Sequence, residues 1–327
     1  MPPLLRVADL KTYYFGFGGT RVVKAVDAVS FTLEAGETFG LVGESGSGKT
    51  TICHSLVRLL PPSAQIVGGR IELEGEDLLA KSRQQMIAIR GGRIATILQD
   101  PMASLDPLFA IRDQVAEPAY YHRGLRGQTL RRRVTELLAA VRIPSPERRM
   151  NDFPHQMSGG MRQRIVGAIA QAAGPQIIIA DEPTTNLDVT IQLQYLNLLK
   201  DVQRASGVAL IFVTHNLGIV AKMCDKVAVM YAGKLVEMQS VRGLFYNPRH
   251  PYTRALLDSI PKLGKREALY GIPGQPPDLS KLPTGCSFHP RCAQVMERCR
   301  REEPSEHATS DGAIARCWLP IEEAARG

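Results

Sequence analysis

T-F-G-L-V-G-E-S-G-S-G-K-T, Thr38 to Thr50, decides how the rest of the chain is read. An apolar pentad runs straight into G-x-x-x-x-G-K-[ST], and the residues after Lys49 have helical spacing, so the motif lies between a strand and a helix. In that setting glycines let backbone N–H groups wrap a phosphate, and the helix N-terminus adds positive potential. Lys49 reaches the terminal phosphates and Thr50 offers its hydroxyl to Mg²⁺. The expected nucleotide-binding set is Gly43, Glu44, Ser45, Gly46, Ser47, Gly48, Lys49, Thr50 and Thr51.

Upstream, V-V-K-A-V-D-A-V-S-F-T-L predicts a strand, with a turn at Glu34-Ala35-Gly36 before the pentad. Downstream, Ile52, Leu56, Leu59 and Leu60 share one helical face, which Pro61-Pro62 ends. A short strand pair follows around residues 70–73, and residues 107–156 read as mostly helical. Strands return at 177–180, 208–213 and 227–231, the last turning through Ala232-Gly233 into K-L-V-E-M. Strands alternating with helices predict an α/β core with a mainly parallel sheet, interrupted by a helical block at about 104–170. From about Ser259 Pro, Gly and Cys rise and periodicity fades, which divides the chain into a nucleotide-binding domain, 1–258, and an irregular Cys-rich extension, 259–327.

Length and charge narrow the classes. The 327 residues are enough for a full core with an appendage. No apolar run is long enough to span a bilayer, and M-P-P-L-L-R-V-A-D-L lacks an export pattern, so the chain is expected in the cytosol. The net charge of +8 is diffuse. Its densest cluster, Arg131-Arg132-Arg133, reads as a solvated helix face, and no nucleic-acid partner is expected.

I-I-I-A-D-E-P supplies the second half of the chemistry. A buried strand delivers Asp181 to its carboxyl end, where it holds Mg²⁺, and Glu182 polarises the attacking water. His215 closes another strand, L-I-F-V-T-H, as a γ-phosphate sensor. Gln99, in I-L-Q-D-P, follows a strand-like run and is placed to contact both Mg²⁺ and the water. No N-K-x-D segment for guanine is present, which favours ATP. Among Tyr13, Tyr14, Phe15 and Phe17, Tyr14 is the expected platform for adenine.

M-S-G-G-M-R-Q-R, Met157 to Arg164, opens a further helix with Ser158, Gly159 and Gly160, a second anion site. The economical arrangement is a head-to-tail pair in which each phosphate loop is closed by the partner's serine-glycine helix, with T-T-N-L-D, ending at Asp188, lining the seam.

Together G-E-S-G-S-G-K-T, Gln99, M-S-G-G-M-R-Q-R, A-D-E-P-T-T-N-L-D and His215 resemble the ATP-binding subunits of ABC transporters, in order and spacing, over about residues 5–240. I-L-Q-D-P-M-A-S-L-D-P, D-V-T-I-Q and N-P-R-H-P-Y-T-R-A-L-L narrow the resemblance to the dipeptide and oligopeptide importers. The resemblance implies a P-loop NTPase core with an N-terminal antiparallel β region. It also implies two ATPases, identical or different, under two transmembrane permease subunits at the cytoplasmic face of the membrane, fed by an extracytoplasmic substrate-binding protein. A short permease helix is expected to dock near the segment after Gln99. Three departures stand out: Met157 in place of leucine, Asn186 in place of a small residue, and Asn216 in place of aspartate.

G-C-S-F-H-P-R-C-A-Q-V-M-E-R-C and A-R-C-W bring Cys286, Cys292, Cys299 and Cys317 into one polar segment. Disulfides are disfavoured in the cytosol, so a metal site is expected, and zinc and iron–sulfur both accept four thiolates. Zinc ribbons favour tighter pairs, and the resemblance, P-R-C included, implies a [4Fe–4S] cluster. Cys53 and Cys224 read as packing residues. The function expected is ATP-driven import of di- or oligopeptides. The alternatives are the same role for nickel or glutathione, or a soluble ATPase of this type on nucleic acid or ribosomes.

Overall fold

In the computed structural model residues 2–100, 104–185, 187–260, 271–308 and 312–319 are described. In chain order the strands are β1 (Leu5–Gly16), β2 (Arg21–Leu33), β3 (Thr38–Val42), β4 (Ala64–Leu73), β5 (Glu76–Asp77), β6 (Ile94–Ile97), β7 (Ile177–Asp181), β8 (Ala209–Thr214), β9 (Lys226–Tyr231), β10 (Lys234–Ser240), β11 (His307–Ala308) and β12 (Ile314–Ala315). The helices are α1 (Lys49–Leu56), α2 (Arg83–Ile89), α3 (Ile111–Arg123), α4 (Gly127–Ala140), α5 (Pro146–Arg149), α6 (Gly159–Gln171), α7 (Val189–Ser206), α8 (Leu217–Met223), α9 (Val241–Tyr246), α10 (Pro251–Asp258) and α11 (Glu297–Arg301). Contacts divide the chain into two units, one of residues 1–32, 39–77 and 214–327, the other of residues 33–38 and 78–213.

The first unit contains an antiparallel sheet in the order β2-β1-β4-β5. Its register sets Leu5 opposite Leu73 and Val7 opposite Ile71, four buried apolar residues on one face. The same unit pairs β3 in parallel with β9, from Phe39↔Lys226 to Val42↔Val229. All five β3 residues are buried, as a parallel strand covered on both faces requires. The antiparallel β10 follows, and the tail returns as β12 to pair Glu237 with Ala315. Val42, Val229, Tyr231, Val236, Leu244, Tyr252 and Phe288 make one core, against which Leu279, Leu282, Cys286 and Cys292 pack. The Cys-rich tail therefore contributes to the core behind the phosphate loop.

The helix after the loop is shorter than its apolar spacing predicts. Ile52 and Leu56 are fully buried, but α1 ends at Leu56, Arg58 takes φ 51°, and Leu59 is 56% exposed. The left-handed residue turns the chain toward β4 before the prolines are reached, and Ala64 N–H donates to Pro61 O at 2.9 Å.

In the second unit β6, β7 and β8 are parallel neighbours, with Ile94 beside Ile177 and Ile177 beside Ala209. The helices α3, α4 and α5 form the expected helical block, and α3 and α4 pack on α6. Val134, Leu137 and Leu138 of α4 are buried. Arg131 and Arg132 are exposed, and Arg132 lies 3.5 Å from Glu136, the solvated face predicted for this cluster. Among the described residues no helix is long and apolar enough to cross a membrane.

Candidate functional site

The phosphate loop is built on glycines that nothing else replaces. Gly43 has φ 152°, and a Cβ there would lie 2.2 Å from Met230 O. Gly48 has φ 109°, and a Cβ there would lie 2.0 Å from Ala25 O. The loop is thus pressed between the backbones of β9 and β2. Ser45, Gly46 and Thr50 are exposed, whereas Lys49 is only 5% exposed. Its Nζ donates to Gly43 O at 2.8 Å and Glu44 O at 2.9 Å, holding the ammonium inside the concavity. Backbone N–H groups at the start of α1 and a lysine within the loop make an anion site.

Tyr14 Oη lies 3.3 Å from Thr51 Oγ1, which sets the ring beside α1. Tyr13 is committed elsewhere, since its hydroxyl donates to Asp27 Oδ1 at 2.7 Å. Burial, then that hydrogen bond, push the Tyr13 phenol up to about 12. Burial alone would raise Asp27, but the bond from Tyr13 and the charges of Lys234 and Lys24 hold its carboxyl below the usual range. His215 is exposed directly after β8. Asn216 caps α8, its Oδ1 accepting from Gly218 N–H at 2.9 Å and Ile219 N–H at 3.4 Å. Asparagine performs this capping as well as aspartate does.

In the second unit Asp181 ends β7 and is 6% exposed. Glu182 follows in the left-handed region, at φ 45°. Its N–H donates to Val213 O at 3.0 Å, while its Oε2 accepts from Gln99 Nε2 at 3.3 Å and Thr185 Oγ1 at 3.1 Å. Two of the predicted residues, Gln99 and Glu182, are therefore in contact. A non-glycine residue held in this backbone region costs about 1–3 kcal/mol, a strain that clusters at functional positions.

Ser158 is the N-cap of α6 and accepts from Met161 N–H at 3.4 Å. Gly159 faces open space. A Cβ on Gly160 would lie 2.9 Å from Ile191 Cγ2, so this glycine sets the approach of α6 to α7. Met157 is buried where leucine is usual, a volume-conserving exchange. Gln163 Nε2 donates to Pro183 O at 2.5 Å and so fixes α6 to the segment after Glu182. Asp188, expected at a seam, caps α7 through its Oδ1, 3.0 Å from both Thr190 N and Ile191 N. Asn186, the first residues of the expected docking segment (101–103) and the side chain of Phe17 lie outside the described residues.

Cys286, Cys292, Cys299 and Cys317 are all unbridged; Cys299 and Cys317 are buried. Burial first, then the nearness of the other cysteines, push Cys286 up to about 11 and Cys317 up to about 12, and raise Cys292. The four thiols are thus within electrostatic reach of one another. Among the described residues, however, no group of three or more His, Cys, Asp or Glu is arranged to hold a metal ion. The expected metal site gains no support from this geometry. His289 sets its Nδ1 3.0 Å from Cys286 O.

Two residues that touch the loop carry no local sequence signal of that contact. Tyr252 Oη accepts from Glu44 N–H at 3.0 Å, and Arg291 pairs with the Glu44 carboxylate. Both come from far along the chain, where only the folded core reveals the contact.

Residues 26–185 match the family model described as ABC transporter, and residues 236–299 match that of the oligopeptide/dipeptide transporter C-terminal region. The chain is 46% identical to the dipeptide transport ATP-binding protein DppD of Bacillus subtilis, over 99% of this chain and 97% of that protein. It is 43% identical to the oligopeptide transport ATP-binding protein OppD of Salmonella typhimurium, over 98% and 95%. Among solved structures, the ATP-binding cassette MJ0796, a post-hydrolysis dimer bound to ADP and Pi, superposes with a TM-score of 0.64 at 26% identity, over 73% of this chain and 99% of that one. CbiO1 of Clostridium perfringens, part of the ABC transporter complex cbiONQ, gives 0.65 at 26% identity, over 76% and 92%.

Proposed function

The chain belongs to the ATP-binding proteins of ABC transporters, in their dipeptide and oligopeptide branch, and has their ATPase fold; from that premise we propose that it hydrolyses ATP to drive uptake of short peptides. The observation that carries peptide over another solute is the match of residues 236–299 to the oligopeptide/dipeptide C-terminal region.

In this reading the N–H groups of Gly43 to Lys49 and the Lys49 ammonium take the phosphates. Tyr14 stacks on adenine, with Thr51 fixing its hydroxyl. Thr50, Gln99 and Asp181 offer the all-oxygen donors that suit Mg²⁺. When bound, that ion neutralises charge developing on the transferred phosphoryl group. Glu182 accepts a proton from the water that attacks the γ-phosphorus as the bond to the bridging oxygen of ADP breaks. Its contact with Gln99 and its strained backbone support that role. His215 senses the γ-phosphate. Ser158, Gly159 and Gly160 act on nucleotide held by a second ATPase subunit, of the same or another chain, and Asp188 holds the end of α7 beside that surface.

Two permease subunits and an extracytoplasmic substrate-binding protein complete the machine, with this chain peripheral at the cytoplasmic face. The proposal extends to a [4Fe–4S] cluster on Cys286, Cys292, Cys299 and Cys317. Its support is the donor set: four unbridged thiols gathered in one segment. When bound, the cluster would supply covalent cross-links within the tail.

The test is reconstitution with both permeases and the binding protein in lipid nanodiscs. ATP hydrolysis should rise when the binding protein carries a di- or oligopeptide. A rise with nickel or glutathione alone, and none with peptide, contradicts the solute assignment.

A further inference from the structure

Glu44 is gripped at every polar group it has. Its N–H donates to Tyr252 Oη at 3.0 Å, its carbonyl accepts from Lys49 Nζ at 2.9 Å, and both carboxylate oxygens go to one guanidinium. Arg291 Nη1 lies 2.7 Å from Oε2, and Nη2 lies 3.0 Å from Oε1. Such a two-point pair fixes orientation as well as distance.

Arg291 is itself immobilised. Its side chain is 4% exposed. Nε donates to Pro273 O at 2.9 Å, Nη2 reaches Ile272 O at 3.5 Å, and Nη1 lies 3.4 Å from Tyr231 Oη. The rings of Tyr231 and Tyr252 lie 4.6 Å apart, and both pack on Phe288 of the Cys-rich segment, at 5.2 and 5.3 Å. Every group that reaches Glu44 from outside the loop is therefore anchored in the same core as the tail.

A loop with glycines at positions 43, 46 and 48 has more backbone freedom than most, and ordering it opposes nucleotide binding. We infer that Arg291 is a positioning residue for the ATPase: through Glu44 it holds the phosphate loop in its binding shape, so the Cys-rich extension is a working part of the nucleotide site. Arg291 immediately precedes Cys292 in the sequence, so whatever fixes that cysteine also sets the guanidinium. The inference rests on the reading of Gly43–Thr50 as an ATP site.

The test is MgATP affinity by calorimetry on the full-length chain, well below each variant's melting temperature. Arg291→Met is expected to weaken binding about tenfold, and Arg291→Lys less, because a single ammonium does not reproduce the two-point pair. Glu44→Gln, which keeps the side chain's shape, is expected to weaken binding similarly. The double variant should be no weaker than either single one. Additive losses overturn the inference. So does wild-type affinity in either Arg291→Met or Glu44→Gln, because a merely structural ion pair would lower melting temperature and leave affinity alone. Should Arg291→Met not fold, Arg291→Lys takes its place in the cycle. A wild-type chain that binds no MgATP defeats the functional reading, whereas equal binding by wild type and variants defeats only this inference.

Discussion

Gln99 Nε2 donates to Glu182 Oε2 at 3.3 Å, so an amide from the end of β6 and a carboxylate from the end of β7 meet at the carboxyl ends of two adjacent parallel strands. The amide orients the carboxylate without neutralising it, and Glu182 itself is held in the left-handed backbone region. Glu182→Gln preserves that geometry but removes the proton acceptor. Turnover should fall by about 10²–10⁴ while MgATP binding persists. Steady-state ATPase rates set beside binding isotherms check this, and unchanged turnover removes Glu182 from the role.

Ser158→Arg places a long cation at the exposed start of α6, beside Gly159, which has open space around it. Loss of the cap costs about 1 kcal/mol, too little to unfold the chain. Nucleotide should still bind to the isolated subunit, while ATP-dependent pairing is abolished. Sedimentation velocity in the Glu182→Gln background reads the difference. A normal ATP-dependent pair would show that this helix does not close a partner's site.

The cysteine segment makes a separate prediction. Chain purified without oxygen should be brown and contain iron and acid-labile sulfide, and Cys→Ser at Cys286, Cys292, Cys299 or Cys317 should reduce both. Colourless protein with one zinc per chain reverses the choice of metal.

Acid should weaken the fold through His250. This buried imidazole caps α10, its Nδ1 accepting from Tyr252 N–H at 3.0 Å. Burial, then the Arg254 charge, push its pKa down to about 3. The unfolded chain binds a proton near pH 6.5 and the folded chain does not, so stability is full above pH 6.5 and falls as pH drops toward 3. From pH 7 to pH 5 this group alone removes about 2 kcal/mol. His250→Asn keeps a capping acceptor without the titration, so its melting temperature should fall less than that of the wild type between those pH values. Parallel curves contradict the assignment.

Much of this was legible in the sequence, because the informative signals are local. An apolar pentad before a glycine-rich loop, a buried strand ending in Asp181-Glu182 and a serine before a helix each depend on neighbours a few residues away. The motif order then carried the family. Elsewhere tertiary context decided. Leu59 has the spacing of α1, yet the chain turns at Arg58 and leaves it exposed. Asp188, expected at the seam, also caps its own helix, a use that an acidic residue preceding a long apolar-periodic run allows. The cysteine spacing pointed to a metal, but whether four thiols close on one depends on distances no spacing encodes. Arg291 and Glu44 lie in different motifs, and only a shared core brings them together.

One copy is expected to be catalytically incomplete, because the proposed anion site at Ser158–Gly160 serves nucleotide bound by another subunit. The most direct measurement is the ATPase rate per molecule across a dilution series, with oligomeric state followed in the same samples. The rate per molecule should fall with dilution as pairs dissociate, and vanish in the monomer. A rate per molecule that stays constant in strictly monomeric protein contradicts it.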